Sequence, residues 1–182
     1  MSKMTELPRK VLSARDNWQK GARLDGDAME TRTRRRLEKV ARKRGFLPYD
    51  CKAVFKEIYD DGVSGARKSL VQCYRSQCSQ GVRPDAAYYN PVTNKWRIFE
   101  IKYQKAGGNA HERSYKWLGL LPRIKAFLEI DYNPLYIIYG GDMAVHEKYI
   151  TEFENILDFW PEWRNNWALE RELTYERIAS WF

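Results

Sequence analysis

Cysteine and histidine are scarce in this 182-residue chain: three cysteines, Cys51, Cys73 and Cys78, and two histidines. The cysteines are odd in number and follow no metal-ligand spacing, which argues against a zinc site and leaves reduced thiols, as in a cytoplasmic protein. The N-terminus "MSKMTELPRKVLSAR" has no apolar signal core. No run approaches the ~18 apolar residues that a membrane helix needs. The expectation is a cytoplasmic protein that neither is secreted nor spans a membrane. Internal repeats and low-complexity linkers are also missing, so nothing marks a domain boundary, and a chain of this length is expected to form one domain over 1–182.

What is abundant is basic charge. Lys and Arg number 32 against 24 Asp and Glu, a net charge of +8. Such a surface is drawn to polyanions, although charge alone does not separate nucleic-acid binding from mere solubility. Residues 1–26 read as an arm or irregular lead-in. From Asp27 to Arg44, Met29, Leu37, Val40 and Ala41 recur at helical spacing, and Gly45 stands as a stop signal. Arg32, Arg34, Arg35, Arg36, Lys39, Arg42, Lys43 and Arg44 crowd the other faces of this helix, relieved mainly by Glu30 and Glu38. A solvated face is the ordinary meaning of such a run, and contact with phosphates is the alternative.

Further helices are expected around Val54–Tyr59 and 66–78. After Gly81 the character changes. "VRPDAAYYN" and "KWRIFEIKYQ" are rich in aromatic and β-branched residues and flank the turn-forming "PVTN", which makes a β-hairpin. Trp117, Leu121, Ile124 and Leu128 then mark a helical stripe that Pro122 is expected to split. "PLYIIYGGD" is a buried strand with a Gly-Gly exit, Val145 to Leu157 is another helix, and Trp160, Trp163 and Trp167 form a last aromatic stripe suited to a core or subunit interface. The order helices, hairpin, helix, strand, helix gives an α/β domain with a central sheet flanked by helices.

A hairpin turn centred between Val92 and Thr93 pairs residues whose numbers sum to 185 and sets Asp85 opposite Glu100. Period-two alternation then puts Ile98, Glu100 and Lys102 on the face that Asp85 shares, with Phe99, Ile101 and Tyr103 on the other. Two adjacent carboxylates repel unless a cation sits between them. An oxygen-rich site of this kind suits Mg²⁺, with Asp85 and Glu100 as metal-binding carboxylates and Lys102 beside an attacking water. The chemistry is hydrolysis of a phosphodiester. A bare Glu-x-Lys is ordinarily a surface ion pair. Here "RPD", a hairpin-compatible gap and the apolar residues before "EIK" make the pattern the PD-(D/E)xK nuclease signature, and the chain resembles that superfamily.

The segment "GGNAHERSYKW", Gly107 to Trp117, sharpens the likeness. It resembles the stretch that follows the catalytic strand in the EcoRI and MunI group of type II restriction endonucleases, nearer the MunI branch, and the resemblance spans about Val82 to Asp142, the expected catalytic and DNA-recognition core at 82–142. It implies a PD-(D/E)xK restriction-endonuclease-like fold, catalysis by Asp85, Glu100 and Lys102 with Mg²⁺, and reading of a central AATT in double-stranded DNA by Gly108, Asn109, Ala110 and Arg113, with Lys116 on the DNA backbone. Side-chain chemistry suits those roles. Asn pairs bidentately with adenine, Arg donates to purine N7, Ala offers a surface to the thymine methyl group, and Gly lets the backbone approach. A flexible loop with a helix cap at Asn109 and Glu112 is the plain alternative.

The resemblance further implies a homodimer, double-strand cuts 5′ of AATT that leave 5′ overhangs and 5′-phosphates, and a companion DNA methyltransferase acting on the same site. A phage or mobile-element nuclease, a repair nuclease and a non-catalytic DNA-binding protein are the alternatives. Only Tyr103 to Gly107 separates Lys102 from Gly108, where the EcoRI and MunI proteins carry a longer insertion. Recognition outside AATT is the property this departure bears on.

Overall fold

The computed structural model of the chain describes residues 6–49, 84–104, 117, 120–122, 124–126, 128–141 and 166–182, with the side chains of the first segment described at Gly21 and from Leu24 onward. The described elements are helix α1 (Glu6–Lys43), strands β1 (Leu47–Tyr49), β2 (Ala86–Asn90), β3 (Lys95–Gln104), β4 (Leu135–Gly141) and β5 (Trp167–Leu169), a 3-10 turn (Glu170–Glu172) and helix α2 (Tyr175–Ser180). The strands form one mixed sheet in the order β1-β2-β3-β4-β5. β1, β2 and β3 are antiparallel neighbours, whereas β4 runs parallel to both β3 and β5. A parallel pair needs a long crossover between its strands. Between β3 and β4 that crossover includes helical residues at 117, 120–122, 124–126 and 128, of which Trp117, Leu121 and Ile124 are buried as the stripe predicts. Pro122 itself lies in the helical stretch 120–122.

Helix α1 is longer than its sequence suggests. Residues 6–26 are regular helix, not an irregular lead-in. Pro8 sits in the first turn, where its missing N–H leaves no hydrogen bond broken, and Gly21 and Gly26 lie where a Cβ would meet nothing within 4 Å. The buried face carries Met29, Thr33, Leu37, Val40 and Ala41. The stop at Gly45 is a Schellman motif: Gly45 has φ 78°, its N–H donates to Arg42 (3.2 Å), and the Phe46 N–H donates to Ala41 (2.9 Å). Phe46, the next residue, is buried in the same core as Ala41.

The hairpin has the expected register, Ala86 opposite Phe99 through Asn90 opposite Lys95. Its first strand begins at Ala86, after Pro84 and Asp85. Asn90 sets the turn, its Oδ1 accepting the N–H groups of Val92 (2.9 Å) and Thr93 (3.1 Å), while Asn94 adopts φ 52°. The two faces of the sheet then divide. Phe99, Ile101, Tyr136 and Ile138 join Met29, Leu37 and Val40 of α1 and Ile178 of α2 in one core. Ile98, Glu100 and Lys102, with Leu135, Ile137 and Tyr139 beside them in the β4 register, face the other way.

Arg97 fastens the C-terminal helix to this hairpin. Its guanidinium lies within 6 Å of the ring centres of Phe46, Tyr132 and Tyr136, and it donates to the carbonyl of Trp181 and, at 2.8 Å, to that of Trp96. β1, β5 and α2 are additions to what the sequence showed. Trp167, expected in a terminal aromatic stripe, opens strand β5 opposite Ile137. The helices expected at 54–59, 66–78 and 145–157, with Trp160 and Trp163, lie outside the described residues. No helix among the described residues is long and apolar enough to cross a membrane.

The Gly-Gly exit of β4 is a close approach on both sides. A Cβ at Gly140 would lie 2.7 Å from the Met29 Cε of α1, and one at Gly141, where φ is 69°, would lie 2.4 Å from the Gln104 carbonyl oxygen. Gly141→Ala is expected to cost about 2 kcal/mol or more from left-handed strain and backbone overlap. Gly21→Ala, in exposed helix, is expected to gain up to about 1 kcal/mol. Urea unfolding of both variants checks the opposite signs.

Candidate active site

β3 exposes its catalytic-looking residues by alternation alone. Phe99 and Ile101 are drawn into the core against α1, so Glu100 and Lys102 must face the opposite side. There they form an ion pair, with Glu100 only 2% exposed and the Lys102 side chain 16%. Charges so far from water are costly. In buried pairs, loss of one partner alone costs on the order of 3–5 kcal/mol, because the other charge is left behind. This is not the exposed ion pair that an isolated Glu-x-Lys usually makes.

Asp85 sits one residue ahead of β2, behind the buried Pro84. The register that pairs Ala86 with Phe99 brings it across from Glu100. Its own N–H donates to the Phe99 carbonyl at 3.0 Å, and its Oδ2 accepts the Ile101 N–H at 2.5 Å. The carboxylate is therefore tied to the backbone of the strand that carries Glu100 and Lys102. Structure and sequence agree on this placement of Asp85, Glu100 and Lys102.

A further carboxylate approaches from α1. Glu30 has its pKa raised, first by burial and then by the negative charge of Asp85, while Arg34, 3.4 Å away, pulls in the opposite direction. Sequence reasoning counted Glu30 only as relief for a basic helix face. Its position next to Met29, at the border of the apolar stripe, was the available signal, but its neighbour is 55 residues away in the chain. Tyr139 was also missed as a site-facing group; it stands beside Lys102 in the parallel register.

The donors gathered here are carboxylate oxygens, the ligand type of a hard divalent cation, and Asp85 and Glu100 are the two that could hold one. Among the described residues no three acidic, histidine or cysteine side chains are clustered closely enough to enclose a metal unaided. A cation here would complete its shell with water and substrate oxygens, as Mg²⁺ characteristically does. Gly108, Asn109, Ala110, Arg113 and Lys116, expected to contact DNA, lie outside the described residues, as do the alternative cap residue Glu112 and Glu57, a carboxylate in the expected helix at 54–59. β3 ends at Gln104, inside the Tyr103 to Gly107 join that leads to them.

A mixed five-stranded sheet with flanking helices, whose central hairpin strand presents a Glu-x-Lys pair across from an aspartate, is the architecture of the PD-(D/E)xK restriction endonucleases. The fold is similar to that of the MunI restriction endonuclease in its solved complex with cognate DNA, with a TM-score of 0.52 and 22% identity over 76% of this chain and 79% of that one. Residues 7–182 match the family model described as type II restriction enzyme MunI, and the chain belongs to that family, making it a type II site-specific nuclease. No curated protein matches it.

The raised pKa of Glu30 gives a pH signature. In the folded protein this group holds its proton to higher pH than in the unfolded chain, so its contribution to stability is fully present below the ordinary value of 4.5 and is lost as pH rises through the folded value. Glu30→Gln, which cannot ionise, is expected to raise the melting temperature relative to wild type near neutral pH in metal-free buffer, with the difference shrinking below that value. A pH series of thermal melts reads this convergence directly.

Proposed function

We propose that the protein is a Mg²⁺-dependent, homodimeric restriction endonuclease that cuts both strands of double-stranded DNA at a palindrome centred on AATT. The observation that carries this reading is the buried Glu100–Lys102 pair facing Asp85 at the end of a rigid hairpin. Asp85 and Glu100 fit a hard cation by their donor chemistry, and such a cation supplies neutralisation of the charge that develops on the phosphoryl oxygens.

The chain's own groups do the rest. Glu100 orients the Lys102 ammonium, and Lys102 holds the attacking water by hydrogen bonding to its oxygen. The water oxygen bonds to phosphorus and gives a proton to solvent, the P–O3′ bond breaks, and the leaving 3′ oxygen takes up a proton from solvent to become a hydroxyl. The products carry 5′-phosphates. The nuclease domain takes in 1–182 with its core at 82–142. Gly108, Asn109, Ala110 and Arg113 read the A·T pairs in the major groove and Lys116 grips the backbone, leaving 5′ overhangs from a cut on the 5′ side of AATT. A two-fold dimer places one such site on each strand of a two-fold sequence. It acts in the cytoplasm beside a DNA methyltransferase that protects the same sequence.

Purified protein with Mg²⁺ and a long DNA of known sequence is expected to give fragments whose ends all map to one AATT-centred palindrome. Scattered ends, as from a repair nuclease, or fixed ends lacking AATT would overturn the specificity. Asp85→Ala is expected to lower the cleavage rate by a factor of at least about 10³ while DNA binding persists, a loss of about 4 kcal/mol in transition-state stabilisation. Asn109→Ala is expected to relax sequence preference.

A further inference from the structure

From Leu24 onward, the exposed surface of α1 is divided into two electrostatically different flanks. On one, the arginines are neutralised one helical turn away, Arg34 by Glu30 (3.4 Å) and Arg42 by Glu38 (2.7 Å). The other carries Arg32, Arg35, Arg36, Lys39 and Lys43. At 100° per residue, Arg32, Arg36, Lys39 and Lys43 fall within about 60° of one another, with Arg35 on their border. Arg32 pairs with Glu170, and Lys43 lies over the Tyr175 ring at 5.4 Å. Arg35, Arg36 and Lys39 are exposed and form no ion pair among the described residues. The five cations span about 16 Å of helix, at 1.5 Å per residue, and the N-terminal part of the stripe borders an open groove of about 610 Å³ lined by Asp27, Ala28, Thr31, Arg32, Arg35 and Arg36.

Neutralising one flank and not the other is more than a soluble helix requires. Unpaired guanidinium and ammonium groups in a row repel one another and are stabilised by a partner that supplies anions at regular intervals. Over about 16 Å of axis, one strand of a DNA duplex offers about five phosphates. α1 packs on the sheet face opposite to Glu100 and Lys102, so the stripe is separate from the reacting groups.

We propose that Arg35, Arg36 and Lys39, continued by Arg32 and Lys43, form a phosphate-binding track for duplex DNA that acts independently of base sequence. It rests on the reading of the protein as a DNA-cutting enzyme and adds a second contact to that enzyme. The track raises affinity for any duplex, cognate or not, through release of counterions, and concentrates the protein on DNA before a cleavable sequence is met.

The test is equilibrium binding of the full chain to two duplexes, one with and one without AATT, over a range of salt concentration in EDTA, so that no cutting intervenes. The triple variant Arg35→Gln, Arg36→Gln, Lys39→Gln keeps good helix formers at exposed positions, and its circular dichroism is expected to match wild type. Its slope of log affinity against log salt is expected to fall by about 2 to 3 on both duplexes, with Arg36→Gln alone giving about 1. Arg42→Gln, which removes the same charge from the neutralised flank, is expected to leave the slope unchanged. An unchanged slope in the triple variant, a loss confined to the AATT duplex, or equal losses from Arg36→Gln and Arg42→Gln would overturn the track. A wild type that binds duplex DNA but never cuts it with Mg²⁺ overturns the proposed function instead, and the slopes still decide the track.

Discussion

The fold is arranged around a carboxylate and an ammonium that have been taken out of water together. Glu100 and Lys102 stand two residues apart on the central strand, nearly buried, and hold each other's charge. That pair is tolerable only because the residues between and around it are firmly fixed on the opposite side. Phe99 and Ile101 are packed under α1, and a shift of the strand by one residue would put the charges into that apolar core and the apolar side chains onto the opposite face. Sheet register and the close approach of Gly141 to Gln104 both keep β3 where it is.

The site is assembled by short-range geometry, whereas its tuning is long-range. Asp85 reaches its place because a hairpin of fixed register delivers it, and its carboxylate is then tied to the Ile101 N–H. Glu30 comes from another layer, and the charge of Asp85 reaches it electrostatically. Asparagine at 90 and glycine at 45 serve the same end as the catalytic strand, since each fixes where the chain turns before it enters or leaves the sheet.

This difference in range explains what could be read from the sequence. The hairpin was legible because both strands, their turn and their alternation lie within 21 contiguous residues, 84–104, and the helix stop at Gly45 was legible from one residue. β1 and β5 were not, because three residues are too few to display a period, and they are strands only because a neighbour supplies partners. The first turns of α1 were hidden by Gly21, Gly26 and a polar composition that breaks the apolar stripe. Glu30 could be recognised as helical but not as a neighbour of Asp85, since nothing local in the sequence records which layer packs on which.

The attachment of Asp85 to the backbone of the opposing strand has a dynamic consequence. Its carboxylate hangs from β2 by covalent bonds but is held by a peptide group of β3, the strand that bears the other two charged groups. Thermal flexing of the hairpin therefore carries all three together, and their mutual distances are the last thing such motion alters. Fluctuations slow enough to separate them must first break the ladder between β2 and β3. The groups will thus be lost in a single cooperative opening rather than by gradual loosening, so that a molecule is either fully assembled or wholly out of register.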